Sequence, residues 1–306
     1  MRLLFFGTPE FAVPALDALV ERHDIAIVVA QPDRPAGRGL RMHAPAVATR
    51  AMALGLPLIQ PSKIRSEEFL ASVAAVQADI GIVIAYGRIL PGALLAIPRH
   101  GFLNVHGSIL PKYRGAAPIQ RAIEAGERIT GVSIMRVDEQ LDHGPVLAID
   151  KLEIGPDERT PALAPRLASL GASALLRVLD DIDLGTAREA PQDHNQATLA
   201  PKIEKEEGRV DWALPAQRIY DRFRAFDPWP GLFVELKGEA IKLPEIELCD
   251  ALGTPGAILS IDNTGVVVAA GAGAIRIKAL QRPGKTKQAA AGVARALGWS
   301  AGAALP

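Results

Sequence analysis

Over the first 185 residues, apolar positions fall into two patterns that alternate along the chain. Short continuous runs at 3–6, 25–30, 79–85 and 101–105 read as strands buried on both faces of a sheet. Between them lie stripes at helical spacing, at 45–54, 66–76 and 116–125, with Ser66 placed to cap one of them. After the first run, Thr8 suits an N-cap, Pro9 the first helical position and Glu10 the positive helix end, so a helix is expected to about Val20. Repeated strand–helix–strand order implies right-handed crossovers in a parallel sheet. Strands at 58–60, 130–137 and 146–154 follow, then a long amphipathic helix over 160–179 that packs through Leu163, Leu167, Leu170 and Leu175.

The pattern changes after Asp183. Residues 186–203, with Pro191, Asp193, Asn195 and Pro201, read as a connector. Beyond it come one helix at 215–226 and short strands at 232–235, 240–247, 256–260, 266–269 and 274–280, split by glycine and proline. Closely spaced strands of this kind predict a small barrel. The expected fold class is therefore α/β: a Rossmann-like domain with a mostly parallel sheet over 1–185, a linker over 186–203, and a smaller β-barrel domain over 204–306. The Ala- and Gly-rich last residues are expected to fray.

Composition narrows this picture little. Apolar residues make up 49% of the 306, ample for two cores, and 34 acids balance 34 lysines and arginines. Any contact with nucleic acid must then come from local charge. Two places offer it. The loop at 31–43 carries Arg34, Arg38 and Arg41 against Asp33. No acid follows Asp262, while Arg276, Lys278, Arg282, Lys285, Lys287 and Arg295 do, with Lys202 and Lys205 extending the track from the connector. The lone Cys249 excludes an intramolecular disulfide and a cysteine-rich zinc site, and suits a reduced cytoplasm. No apolar run is expected to reach membrane length, and with a strand read from Arg2 no targeting peptide is expected. The first turn has only Gly7 and not a G-x-G-x-x-G fingerprint, which disfavours a dinucleotide.

The candidate chemistry sits where the run at 101–105 ends. Asn104 and His106 are two apart, so on a strand end both leave the same face. An amide donor beside an imidazole can hold a carbonyl oxygen as it gains negative charge. Ligands of open α/β sheets sit outside the carboxyl ends of the strands, which puts Ala85, Tyr86 and Gly87 on the same rim.

The stretch NVHGSILPKYRGAAPI at 104–119 resembles the signature of the folate-dependent formyltransferases. FGTPEF at 6–11, QPDRPAGRG at 31–39, AYG at 85–87, LD at 141–142 and DPWP at 227–230 are similar to that family in its order, so the likeness spans nearly the whole chain. GAAPIQ at 115–120 resembles the branch whose acceptor is an aminoacylated tRNA. The resemblance implies formyl transfer from 10-formyltetrahydrofolate to the α-amino group of initiator methionyl-tRNA, with no metal, by a cytoplasmic monomer that binds no membrane. It implies an OB-like barrel that contacts tRNA as the second domain, and Asp142 reaching back to His106. A carboxylate there fixes the imidazole's tautomer. It places the folate on the turn Ser108, Ile109, Leu110 and Pro111 and on backbone near Ala85, Tyr86 and Gly87. The loop bearing Arg34, Arg38 and Arg41 would wedge into the tRNA acceptor end. Two departures are visible: Leu40-Arg41-Met42 stands where lysines are common, and His143 follows Asp142 where a small residue is usual. His143 is expected to face solvent. Other readings are the same chemistry on an amino sugar nucleotide or glycinamide ribonucleotide, a non-enzymatic RNA-binding protein, and a dehydrogenase.

Overall fold

The structure, a computed structural model, describes residues 1–36 and 41–306. It has two compact units. The first comprises Met1–Pro118, Ile129–Glu153 and Leu163–Pro201; the second comprises Ile119–Arg128, Ile154–Ala162 and Lys202–Pro306. Both units are discontinuous in sequence, unlike the contiguous domains expected. The stretch read as a connector belongs to the first unit through Pro201, and two earlier segments join the second.

Through residue 200 the elements run β1 (Arg2–Gly7), α1 (Val13–Val20), β2 (Asp24–Val29), β3 (Arg34–Ala36), β4 (Arg41–His43), α2 (Ala46–Ala53), β5 (Leu58–Ile59), α3 (Glu67–Ala75), β6 (Ile80–Ile84), α4 (Gly92–Leu95), β7 (Phe102–His106), β8 (Arg114–Gly115), α5 (Pro118–Glu124), β9 (Ile129–Arg136), β10 (Val146–Glu153), α6 (Thr160–Asp183) and β11 (Leu199–Ala200). The main sheet has the order β10-β9-β7-β6-β1-β2-β5. It is parallel from β7 to β5, and β9 and β10 add antiparallel edges. The chain leaves β1 toward β2 and β5, then returns to β6 on the other side. The strand order therefore reverses between β1 and β6, the place where open α/β sheets form a ligand crevice at their carboxyl ends.

Burial explains the continuous apolar runs. All five residues of β6 are buried, as a strand covered on both faces requires. Gly81 is held to glycine by its neighbour across the ladder: a Cβ there would lie 2.2 Å from the Phe102 ring. Phe6 collects the aromatic core, meeting Phe69, Tyr86 and Phe102 edge to face. The α6 helix buries Leu163, Leu167, Leu175 and Leu179, a stripe with the helical period. Gly171 lets it approach β7, since a Cβ would fall 2.6 Å from a Val105 methyl. By length and composition α6 is apolar enough to cross a membrane, contrary to the expectation that no run is, but half of its apolar window is buried within the protein. The first helix also differs from expectation. Residues Glu10–Ala12 form a 3₁₀ turn before α1, and the Thr8 hydroxyl donates to the Tyr86 carbonyl at 3.0 Å instead of capping.

The second unit contains α7 (Ala216–Ala225), β12 (Phe233–Leu236), β13 (Glu239–Cys249), β14 (Ile258–Asp262), β15 (Gly265–Ala269), β16 (Ala274–Gln281), β17 (Gln288–Ala289) and α8 (Ala290–Ala296). Its antiparallel sheet runs β12-β13-β16-β15-β14, with β17 beside β16. Register shifts around Glu245 mark an irregularity of the bulge type in β13. The two inserted segments are tied in by polar groups. Arg121 grips Glu207 through both terminal nitrogens, at 2.6 and 3.0 Å. Thr160 donates to the Ala225 carbonyl at 2.7 Å, and buried Arg224, paired with Asp221 inside α7 at 2.6 Å, donates to the Glu158 carbonyl at 3.1 Å. The last residues do not fray: Trp299 and Leu305 are buried, and the Leu305 amide donates to the Gly256 carbonyl at 2.8 Å.

Candidate active site

Strand β7 alternates as its pleat demands. Val105 faces α6, and Asn104 and His106 leave the opposite face together. Both reach Asp142, in the loop between β9 and β10. Asn104 Nδ2 donates to Asp142 Oδ1 at 3.3 Å. His106 Nδ1 lies 3.7 Å from Asp142 Oδ2, a contact in which the ring is 5% exposed and the carboxylate 13%. The Gly115 amide donates to Oδ2 at 2.8 Å. Gly115 is placed for this by β8, which pairs with β11. Its φ is +128°, and a Cβ would sit 2.6 Å from the Ala200 carbonyl oxygen, so only glycine fits.

His106 Nε2 lies 2.9 Å from the Tyr113 carbonyl. A carbonyl only accepts, so Nε2 carries a proton. Nδ1 is then the ring atom turned to Asp142. Asp142 itself is at φ +47° and Tyr113 at +62°, left-handed conformations that cost about 1–2 kcal/mol for such residues. Backbone of this kind persists where its surroundings over-determine it, and it gathers at functional sites.

The turn after β7 is built into the fold. Ser108 is fully buried and its hydroxyl donates to the Lys112 carbonyl at 2.6 Å. Ser133 Oγ donates to the Ser108 carbonyl at 2.8 Å and accepts from the Leu110 amide at 3.0 Å. Leu110 is buried, whereas Ile109 and Pro111 are half-buried. A cavity of about 320 Å³ opens beside this turn, lined by Leu110, Pro111, Val146, Ile149 and Gln192 among others. On the rim of β6, Ala85 and Gly87 are exposed while Tyr86 is buried between them. The Tyr86 ring is core, and burial pushes its phenol upward from the ordinary value. Its carbonyl accepts from Thr8 and, at 3.1 Å, from Gln31. At this turn it is Ala85 and Gly87 that face outward. A larger cavity, about 560 Å³, is lined by Lys63, Arg65, Arg88 and their neighbours and by none of the catalytic candidates.

His143 does not face solvent as expected. Its Nδ1 meets Asp138 Oδ2 at 2.7 Å, and its ring stacks on His194 with centroids 4.1 Å apart. It therefore leaves Asp142 to His106. Sequence reasoning also missed Arg114, Gln192 and His194, which surround Asp142 from behind. Nothing in the polar stretch 191–201 distinguished it from a connector.

The basic candidates divide. Arg34 is exposed on β3, whose partner is β4; Arg38 lies outside the described residues, and Arg41 is described only as backbone of β4. In the second unit the run after Asp262 has no acid of its own, yet β13 supplies them across the ladder. Arg276 and Lys278 meet Glu247, Arg282 meets Glu239, and Lys287 meets Glu245. Lys202 meets Glu204 at 3.5 Å. Lys205 and Lys285 are exposed, and among the described residues neither has an ion-pair partner.

A mostly parallel sheet with an amide, an imidazole and a carboxylate meeting at its carboxyl edge, followed by an antiparallel domain, is the arrangement of an enzyme that moves a small acyl group. Residues 1–179 match the formyl transferase model and residues 202–297 match the model of the formyl transferase C-terminal domain, and the chain belongs to this family. Two relatives are called methionyl-tRNA formyltransferase. One, from Sorangium cellulosum, is 48% identical over 95% of each chain. The other, from Thermus thermophilus, is 46% identical over 100% of this chain and 99% of that protein. Among solved structures, an N-formyltransferase from Helicobacter canadensis in complex with folinic acid and dTDP-3-aminofucose superposes with a TM-score of 0.69 at 16% identity, covering 92% of this chain and 99% of that one. HypX from Aquifex aeolicus in complex with tetrahydrofolic acid gives 0.63 at 20% identity, covering 97% of this chain and 47% of that one. Those two likenesses speak to the fold.

Proposed function

We propose that this protein transfers the formyl group of 10-formyltetrahydrofolate to the α-amino group of initiator methionyl-tRNA. The observation that carries the reading is the meeting of Asn104, His106 and Asp142 at the carboxyl edge of the sheet, one strand from the point where the strand order reverses. Its full-length likeness to methionyl-tRNA formyltransferases at 45–48% identity supports this choice of acceptor over an amino sugar.

The neutral amine attacks the formyl carbon, a C–N bond forms, and the carbonyl electrons move onto oxygen. Asn104 Nδ2 has two hydrogens and gives one to Asp142; the other is free to meet that oxygen. His106 has Nε2–H committed to Tyr113, so it offers a second N–H, at Nδ1, only as the imidazolium. Asp142 Oδ2, facing Nδ1, is the counter-charge for that form. Collapse breaks the bond to N10. The amine gives up one proton and N10 takes one, so no further reactant is consumed. Asp142 and His106 are the groups placed to pass that proton. The exposed Ala85 and Gly87 and the half-buried Ile109 and Pro111 are the contacts proposed for the folate; Ser108, Leu110 and Tyr86 support them from within. Arg34, Lys205, Arg282, Lys285 and Lys287 are proposed for the tRNA backbone, with Lys202, Arg38 and Arg41. The protein is further proposed to act as a monomer in the cytoplasm, as its relatives' role in translation suggests.

The test is to incubate the protein with 10-formyltetrahydrofolate and initiator or elongator methionyl-tRNA and to look for formylmethionine. Product on the initiator is expected. None would discard the reading, and equal product on both tRNAs would discard selectivity.

A further inference from the structure

Behind Asp142 lies a set of side chains that the transfer chemistry does not use. Gln192 is 8% exposed, and its Nε2 donates to two carbonyls, Asp142 at 2.9 Å and Gly144 at 2.7 Å. Its Oε1 accepts from Arg114 Nε at 3.2 Å and Nη2 at 2.6 Å. Arginine has donors only, so Oε1 must face it and Nε2 must face the carbonyls; the amide has one orientation. Arg114 is also 8% exposed, and its Nη2 reaches His194 Nδ1 at 2.8 Å. The His194 ring lies within 5° of parallel on His143, and His143 holds Asp138. The loop carrying Asp142 is therefore gripped from outside at the His143 ring, at the Asp142 carbonyl and at the Gly144 carbonyl, and is braced internally by His143 on Asp138. Asp142 needs such grips, because its φ is +47°.

We propose that Gln192, oriented by Arg114 and backed by the His194–His143 stack, is a positioning residue that aims the Asp142 carboxylate at His106. The inference rests on the formyl-transfer reading for its effect on turnover. It makes residues 190–200 part of the catalytic architecture.

The test uses the full-length protein with Gln192→Glu. Glutamate keeps an acceptor toward Arg114 but turns a second acceptor toward the two carbonyls. The expected result is a kcat about 10- to 100-fold lower with unchanged KM for both substrates, beside a lower melting temperature, since two buried carbonyls lose their donor. The His106 ring signals, assigned by their loss in His106→Asn, are expected to shift in nitrogen-15 histidine NMR spectra. Wild-type kcat, or losses in kcat, KM and melting temperature that move together while the His106 signals stay put, would overturn the proposal. Should Gln192→Glu not fold, His194→Leu is expected to lower kcat and His194→Gln, which keeps an acceptor for Arg114, to restore it. Equal activity in those two would overturn it as well. The NMR signature needs no turnover, so a wild-type protein that makes no formylmethionine would sink the activity reading and leave this one standing on its own test.

Discussion

Asp142 and Glu247 are each a carboxylate facing two nitrogen-bearing side chains that stand two residues apart on a neighbouring strand. For Asp142 these are Asn104 and His106 on β7; for Glu247 they are Arg276 and Lys278 on β16. Asp142 reaches its pair from a loop and Glu247 from within a strand, and the surroundings differ as well. Asp142 is 13% exposed and adds a backbone amide at 2.8 Å. Glu247 is 46% exposed and its partners stand at 3.3 and 3.4 Å. Water screens the second cluster, where an ion pair contributes about 0–1 kcal/mol. It is largely kept from the first, where an aimed donor acts at close to full strength. The same two-residue spacing on a strand thus stands in a sheltered cluster at Asn104 and His106, the site proposed for the chemistry, and in a solvated one at Arg276 and Lys278.

The largest effect is therefore expected at Asn104. Asn104→Ala removes an oxyanion donor and should lower kcat by about 10²–10³-fold, with KM for the folate unchanged. Arg276→Ala, its counterpart on β16, should leave kcat alone. Steady-state kinetics on both variants would break the comparison if the losses were similar, or if Asn104→Ala acted on KM as strongly as on kcat.

Glycine substitutions sharpen the contrast next. Gly115→Ala pushes a methyl to within 2.6 Å of a backbone oxygen at φ +128° and should cost about 1–3 kcal/mol in urea unfolding, with loss of activity as the Gly115 amide leaves Asp142. Gly284, at φ +72° with open space around it, should cost about 1 kcal/mol as alanine, with turnover intact. Equal costs would mean that the β8–β11 pairing does not constrain the site.

These cases also show what a sequence can reveal. The Asn104–His106 pair was legible because a two-residue spacing on a strand is local information. The longer strands of the two main sheets were legible for the same reason, to within about two residues, whereas the short pairs β3–β4 and β8–β11, and β17, were not, because two- and three-residue ladders leave no apolar pattern. The expectation for His143 failed because its partners are Asp138 and a ring 51 places away. Gln192 stands 78 residues from Arg114, and no spacing announces that contact. The unbalanced basic run was legible, but its neutralisation was not, because the acids of β13 meet it only through an antiparallel register with a bulge.

A smaller effect is expected in the pH dependence of stability, at a pair of intermediate exposure. Arg121 holds the Glu207 carboxyl below its ordinary value, by hydrogen bonds that outweigh desolvation. The unfolded chain thus binds this proton more readily than the folded one. The stabilisation is fully present above the unfolded value of about 4.5 and is lost as pH falls through the lower folded value. Glu207→Gln should cost about 1 kcal/mol at neutral pH and flatten the acid limb of the stability curve below that point. An unchanged acid limb would show that the Ile119–Arg128 segment is held by apolar contacts instead.

The smallest effects belong to the exposed cations, and they test whether the charged face serves RNA. Lys285 has no carboxylate partner among the described residues, whereas Lys287 stands 3.5 Å from Glu245. A lysine already paired must leave its partner to reach a phosphate, so it contributes less to the complex. Lys285→Ala should therefore raise KM for tRNA more than Lys287→Ala does, and should reduce the slope of log affinity against log salt by about 1. Glu245→Gln frees Lys287 and should lower KM for tRNA slightly, most visibly at low salt where the pair is least screened. kcat at saturating tRNA should be the same in all three. If Glu245→Gln weakens tRNA binding, or if the salt slope does not move with Lys285, the basic strands are ordinary solvated surface and the acceptor must be gripped elsewhere.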